Sequence, residues 1–111
     1  MIDVIWVPSA LDDLKKIKEY IARDSTNYAS KFVEGAFDAT ERLSVFSKSG
    51  RIVPEYQNPN VREIGYGSYR IIYELVANGV YVVAVIHGRR LLPEEGINKS
   101  LLQSKSEGLI D

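Results

Sequence analysis

The most regular pattern of hydrophobic and polar positions lies in the C-terminal half of the chain, between Val61 and Leu92. Three segments rich in Val, Ile and Tyr follow one another there, separated by the dipeptides Gly67-Ser68 and Asn78-Gly79. Both dipeptides are typical of two-residue turns between antiparallel strands. The pattern therefore predicts three strands connected by hairpins, at residues 61–66, 69–76 and 80–87.

The two turns also predict which residues face one another, because pairing in a hairpin is counted outward from its loop. Ile64 is then opposite Ile71 in the first hairpin, and Arg70 is opposite His87 in the second. Side chains alternate across a sheet, so one face is predicted to be apolar (Ile64, Ile71, Tyr73, Leu75, Val82, Ala84 and Ile86). The other face is predicted to carry Arg70 and His87 as neighbours at one end, away from the helices.

The N-terminal half is predicted to supply one strand and two helices. Residues 2–7 are mostly β-branched or aromatic up to Pro8, which indicates a strand. Apolar residues at helical spacing predict helices at about 10–23 and 27–47, and the prolines and asparagines of 51–60 indicate a loop. The order β-α-α-β-β-β, with a helical hairpin packed on an antiparallel four-stranded sheet, predicts a two-layer α+β domain.

Length and composition limit the organisation of the chain. It has 111 residues, of which 45% are hydrophobic, and this fits one domain with its own core. We predict that the domain spans 1–92 and that 93–111 is a tail, either a short helix or disordered. No apolar run reaches the length of a membrane span, and the N-terminus lacks the positive region of a secretory signal. The absence of cysteine fits a cytoplasmic location.

The charge balance excludes some classes of partner and site. The net charge is −1 and the isoelectric point is about 5.8, so the overall charge does not favour nucleic acid. With one histidine and no cysteine, neither a metal site nor another cofactor is predicted. Every positive residue between Lys48 and Lys99 is an arginine, whose planar fork suits phosphates and carboxylates (Arg51, Arg62, Arg70, Arg89 and Arg90).

The predicted neighbours Arg70 and His87 form the candidate site. A cation beside a histidine lowers its pKa, and an arginine next to an acid or base suits phosphate chemistry. The alternative is structural, because a single histidine at a strand end usually has a structural role, and Glu74 on the same face can neutralise Arg70. Glu55 and Glu63 are candidate bases if the fold brings them close.

Four stretches of the sequence, in this order and spacing, resemble the RelE/ParE superfamily of type II toxin–antitoxin toxins. They are IDVIWVPSALDDL near the N-terminus, VREI and YRIIY in the first hairpin, and IHGRR after the second. The similarity covers about residues 1–92. It implies the RelE/ParE-like fold and a cognate antitoxin as partner.

The resemblance also implies a choice between two activities. RelE-like members cleave mRNA on the ribosome with an arginine in the YR pair, another after the last strand, a downstream tyrosine, and lysines on the preceding strand. Arg70 and Arg90 match the two arginines, and other nuclease branches place a histidine near the position of His87. However, no tyrosine follows Tyr81, and a lysine position falls near Glu63.

The HGRR ending is instead similar to that of ParE-like toxins, which lack the nuclease residues and poison DNA gyrase. We therefore predict a ParE-like toxin that is not an enzyme, inhibits growth, acts in plasmid stabilisation and is neutralised by its antitoxin. Its predicted target- or partner-binding residues are Arg62, Arg70, His87, Arg89 and Arg90. One alternative is a RelE-like ribosome-dependent endoribonuclease, with Arg70, His87 and Arg90 as catalytic residues. Another is a non-toxic module that binds the antitoxin. The sequence leaves oligomerisation open.

Overall fold

The computed structural model describes residues 1–92, so the predicted tail at 93–111 lies outside the described residues. The helices are α1 (Pro8–Ala22) and α2 (Thr26–Glu41), the second followed by a short 3-10 helix (Arg42–Ser44). The strands are β1 (Asp3–Trp6), β2 (Arg51–Ile52), β3 (Val61–Tyr66), β4 (Tyr69–Val76) and β5 (Gly79–His87). This order confirms the predicted α+β fold. Within residues 1–92, no helix has the length and apolar character needed to cross a membrane.

The five strands form one mixed sheet in the order β1-β5-β4-β3-β2. β1 runs parallel to β5, and the other three pairings are antiparallel. The prediction of four strands is wrong by one, because β2 lies in the segment 51–60 that was assigned to a loop. A two-residue strand is too short to produce a pattern of alternation.

Local sequence determines where the helices begin and end. Pro8 stands in the first turn of α1, where a missing N–H costs no hydrogen bond. The hydroxyl of Ser25 caps α2 by accepting a hydrogen bond from the Tyr28 N–H at 3.0 Å. The helix ends at Glu41 and not at residue 47 as predicted, because the chain tightens there into the 3-10 helix Arg42–Ser44.

Both faces of the sheet are buried. The helices cover one face and form the helix-side cluster (Ala10, Leu14, Phe32, Ala36, Leu43, Ile71, Tyr73, Val80, Val82 and Val85). The opposite face carries the far-side cluster (Val53, Val61, Ile72, Val83, Ala84 and Leu92). The loop after β2 and the residues after β5 cover this second face. Burial of each large aliphatic side chain contributes about 1.5–3 kcal/mol, so these two segments are part of the core.

The first hairpin has the predicted register, with Ile64 opposite Ile71 and Tyr66 opposite Tyr69. The second hairpin does not. Its loop consists of residues 77 and 78, because Val76 pairs with Gly79.

A β-bulge in β5 changes the register of the second hairpin again. Tyr73 pairs with Val82 but Ile72 pairs with Ala84, so that Val83 is an extra residue in β5. An extra residue reverses the alternation of the strand beyond it. Ala84 and Ile86 therefore lie on the far side of the sheet, and not on the helix side as predicted.

Candidate functional site

Arg70 lies on the far side of the sheet, where all five N–H donors of its guanidinium are used in five hydrogen bonds. Glu55 accepts two of them in a bidentate arrangement, at 2.8 Å from Nη1 and 2.8 Å from Nη2. Glu63 accepts two more, from Nε at 2.9 Å and from Nη2. The carbonyl oxygen of Arg90 accepts the fifth, from Nη1 at 2.9 Å. Arg70 is therefore saturated as a donor.

Arg51, Glu55, Glu63 and Arg70 form one network of two cations and two anions, which we call the charge network. The Nε of Arg51 donates to Glu63 Oε2 at 2.6 Å. The side chains of Glu55, Glu63 and Arg70 are 17%, 5% and 10% exposed, whereas that of Arg51 is 68% exposed. Hydrogen bonds from Arg70 lower the pKa of Glu55 to about 2, and hydrogen bonds to Glu55 raise the pKa of Arg70. Glu55 and Arg70 are thus held in their charged forms.

The β3–β4 pairing explains how Arg70 reaches Glu63. Gly65 stands directly opposite Arg70, and Glu63 is opposite Ile72, two residues along. Glu63 and Arg70 are therefore diagonal neighbours on one face, a distance that a long side chain can span. Glu74, also buried on this face, accepts none of these five hydrogen bonds.

The predicted proximity of Arg70 and His87 is wrong. Arg70 pairs with Ile86, and His87 pairs with Tyr69 on the helix side of the sheet. The shift of the turn by itself would have left the side chains of Arg70 and His87 on the same face of the sheet. The β-bulge at Val83 reverses the alternation of β5 and so places them on opposite faces. His87 is exposed, its ring lies 5.7 Å from that of Tyr69, and its Nδ1 accepts a hydrogen bond from the Arg89 N–H.

The remaining predicted binding residues fall into two groups. Arg62 holds the neighbouring loops together, because it donates to the carbonyl oxygens of Pro59, Lys48 and Gly50 at 2.9, 3.3 and 3.0 Å. Arg89 and Arg90 have exposed side chains in the turn after β5. Together with His87, they are the predicted binding residues that the fold leaves exposed.

An apolar groove was not foreseen from the sequence. It lies between α2 and the outer edge of β3 and has a volume of about 780 Å³, with Arg42, Leu43, Phe46, Ile64 and Tyr66 among its lining residues. Val45 and Phe46 are 61% and 65% exposed. Both residues come after Leu43, the last apolar residue of α2 and its 3-10 extension that follows helical spacing. This break in the spacing was the sequence feature that could have indicated an exposed apolar surface. The loop that carries them is fixed, because the Tyr73 hydroxyl donates to Ser47 O and accepts from Gly50 N.

This arrangement limits the chemistry of the site. A phosphate could reach Arg70 only by displacing two carboxylates, and His87 lies on the other face of the sheet. No group of three or more histidine, aspartate or glutamate side chains within residues 1–92 could hold a metal ion. The accessible features are the two arginines after β5 and the apolar groove, which are both suited to contacts with another protein.

Comparisons with known proteins identify a family and a shared fold. A family model described as ParE toxin of type II toxin-antitoxin system, parDE, matches residues 4–92. A solved structure titled "Chromosomal ParDE TA system from P. aeruginosa" has a TM-score of 0.66 and 18% sequence identity, covering 78% of this chain and 96% of that chain. At that identity the likeness shows a shared fold. No curated protein matches the sequence.

Proposed function

Because the chain belongs to the ParE toxin family of type II toxin–antitoxin systems, we propose that it inhibits growth by acting on DNA gyrase and that a cognate antitoxin neutralises it. The toxin acts in the cytoplasm by protein–protein contact and not by cleavage of RNA. Residues 1–92 form the toxin domain.

The main observation that favours a protein target over RNA is that every guanidinium N–H of Arg70 already donates a hydrogen bond within the protein. A nuclease needs a positive group that is free to stabilise the phosphate in the transition state. Here the guanidinium is 10% exposed and engaged by Glu55 and Glu63. An enzyme that holds ribosomal RNA also needs a positive surface, whereas this chain has a net charge of −1. Both observations favour the gyrase toxin over the endoribonuclease.

The contact with the target is assigned to Arg89 and Arg90. Both side chains are exposed at the end of β5, and arginine forms bidentate hydrogen bonds with carboxylates. We expect them to meet an acidic surface of the target. His87 supports this turn through its hydrogen bond with the Arg89 N–H.

We assign the apolar groove as the binding site for the antitoxin. Exposed aromatic residues on a fixed loop are typical of binding surfaces, and Phe46 is 65% exposed. Residues 42–50 contain Arg42 and Lys48 and no acidic residue, and Asp38 also lines the groove. An amphipathic antitoxin segment with acidic residues beside its apolar ones would fit this surface.

Two assays of the purified wild-type protein distinguish the toxic activities. One measures supercoiling by gyrase, and the other measures cleavage of ribosome-bound mRNA. We expect inhibited supercoiling and intact message. Codon-positioned cleavage with normal supercoiling would support the endoribonuclease instead. Expression without antitoxin should arrest growth, and unaffected growth would support the non-toxic antitoxin-binding module.

His87→Ala separates the two mechanisms further. As a support for the Arg89 turn, His87 should contribute at most severalfold to inhibition of supercoiling. As a general acid it would contribute about 10²–10⁴-fold to a cleavage rate. The dose of toxin needed for growth arrest should therefore change little in His87→Ala. Complete loss of toxicity in a folded variant would contradict the protein-contact mechanism.

A further inference from the structure

The five residues that follow β5, residues 88–92, are fixed although they form no regular element; we call them the C-terminal segment. Two backbone hydrogen bonds close its first turn, from Gly88 N to Ser68 O at 2.7 Å and from Arg90 N to His87 O at 2.9 Å. The side chain of Leu92 is 5% exposed and packs in the far-side cluster. The segment is thus held at both ends.

The charge network also binds the backbone of this segment, at Arg90 and at Leu92. Arg70 Nη1 donates to the carbonyl oxygen of Arg90 at 2.9 Å, and Leu92 N donates to Glu55 Oε2 at 3.0 Å. The same Oε2 atom accepts a hydrogen bond from Arg70 Nη1 at 2.8 Å. One buried carboxylate oxygen therefore joins the guanidinium to the backbone of the segment.

The result is an exposed pair of arginines on a fixed backbone. The side chains of Arg89 and Arg90 are exposed, while the chain that carries them is tied to Arg70 and Glu55. A flexible binding segment loses conformational freedom when it binds, and a segment that is already ordered avoids that loss. The charge network therefore orders the two arginines before the target is met.

We propose that Arg70 and Glu55 are positioning residues of the toxin, which hold the C-terminal segment so that Arg89 and Arg90 meet an acidic surface of the target in one arrangement. This inference rests on the proposed function, in which these two arginines contact the target. Arg70 and Glu55 do not themselves touch the target, because they lie beneath the segment. Their contribution is to the strength of inhibition and not to chemistry.

Glu55→Gln in the full-length chain is the direct test. Glutamine keeps the shape of the side chain but removes its charge and one of its two acceptor oxygens, so it can no longer accept both from Arg70 Nη2 and from the pair Arg70 Nη1 and Leu92 N. We expect hydrogen exchange of the Leu92 amide to become at least about tenfold faster and the half-inhibitory concentration in the supercoiling assay to rise at least about tenfold. Exchange would be measured by NMR on the same preparation.

Arg51→Gln is the matched control from the same network. It removes the exposed guanidinium of Arg51, which binds Glu63 Oε2 and makes no hydrogen bond with the C-terminal segment. Leu92 exchange and inhibition should both stay at the wild-type level. Leu14→Ala controls for global stability, because Leu14 is buried in the helix-side cluster. It should lower the melting temperature while the folded protein still inhibits normally.

Three results would overturn the proposal. The first is unchanged Leu92 exchange in Glu55→Gln, and the second is faster exchange with unchanged inhibition. Equal loss of inhibition in Leu14→Ala and Glu55→Gln would also overturn it, because the effect would then follow stability alone. A wild-type protein that leaves supercoiling intact would instead refute gyrase as the target. Leu92 exchange and growth arrest in cells would then decide the positioning role.

Discussion

Replacement of Arg70 by methionine tests how much the charge network stabilises the fold. Arg70 is 10% exposed, and its partners Glu55 and Glu63 are 17% and 5% exposed. Removing one partner of a buried ion pair leaves uncompensated charge and typically costs about 3–5 kcal/mol. Methionine retains much of the buried volume, so most of the loss at pH 7 should come from the two carboxylates that remain.

The sign of the pH dependence makes this prediction specific. In the wild type, the hydrogen bonds of Arg70 hold the pKa of Glu55 at about 2, below its ordinary value of 4.5. Glu55 therefore contributes stability that is fully present above about pH 4.5 and is lost as the pH falls towards 2. At about 1.4 kcal/mol for each pKa unit, this contribution reaches about 3 kcal/mol.

Arg70→Met should reverse this dependence. Without the guanidinium, Glu55 and Glu63 are two like charges in a buried site, and this raises the pKa of at least one of them above its value in the unfolded chain. Protonation then stabilises the folded variant, so its stability should rise as the pH falls from 7 to 3. The difference in unfolding free energy between wild type and variant should shrink over the same range.

Urea denaturation followed by circular dichroism, repeated between pH 3 and pH 7, measures this difference. Arg51→Met is the control, because the Arg51 side chain that binds the same Glu63 is 68% exposed, and its ion pair should contribute about 1 kcal/mol, less than that of Arg70. A difference that is equally large at pH 3 and pH 7 would refute the electrostatic reasoning. If Arg70→Met is unfolded at pH 7, the double variant Arg70→Met/Glu55→Met should recover part of the stability.

Two further predictions concern the loop after α2. Gly50→Ala should destabilise the fold by about 2 kcal/mol, because a Cβ there would lie 2.5 Å from Glu63 O and 2.6 Å from the Tyr73 hydroxyl. Calorimetry should show little change in Gly65→Ala, whose Cβ would meet no atom within 4 Å. Phe46→Ser should weaken antitoxin binding at least about tenfold in titration calorimetry without loss of stability. Tyr20→Ser is the control at similar exposure, 64% against 65%, and equal weakening by both variants would contradict the assignment of the groove.

The elements with a clear period could be predicted from the sequence. The amphipathic helices α1 and α2 each have one exposed side, and β4 alternates between an apolar face and a face that carries Arg70 and Glu74. Because these charged residues mark one face of the strand, a shift of one residue would place them in the apolar helix-side cluster, and the register follows. The first hairpin was therefore predicted correctly.

β5 lacks that information because no charged residue marks either of its faces. Its residues from Val80 to Ile86 are all apolar or aromatic, so no polar position marks the place where the alternation reverses. The bulge at Val83 therefore leaves no trace in the hydrophobic pattern. The turn is ambiguous as well, because a two-residue loop could begin at either Ala77 or Asn78. The position of His87 depended on both features and was predicted wrongly.

The charge network could be predicted only in part. Glu55 and Glu63 were predicted as candidate bases if the fold brought them close, but in the structure both bind Arg70, and this role depends on the path of the loop after β2. Glu55 reaches Arg70 because Val53, buried in the far-side cluster, draws this loop over the sheet. Both faces of the sheet had to be covered before the carboxylates could meet the guanidinium.

The saturation of Arg70 provides a criterion for interpreting related sequences. An arginine at this strand position is available to a phosphate only if the residues aligned with Glu55 and Glu63 do not both bind it. We expect relatives that are acidic at both positions to lack ribonuclease activity even when the YR pair is present. Relatives with neutral or basic residues there should leave the guanidinium accessible. The two acidic positions, and not the arginine itself, would then distinguish gyrase toxins from ribosome-dependent nucleases.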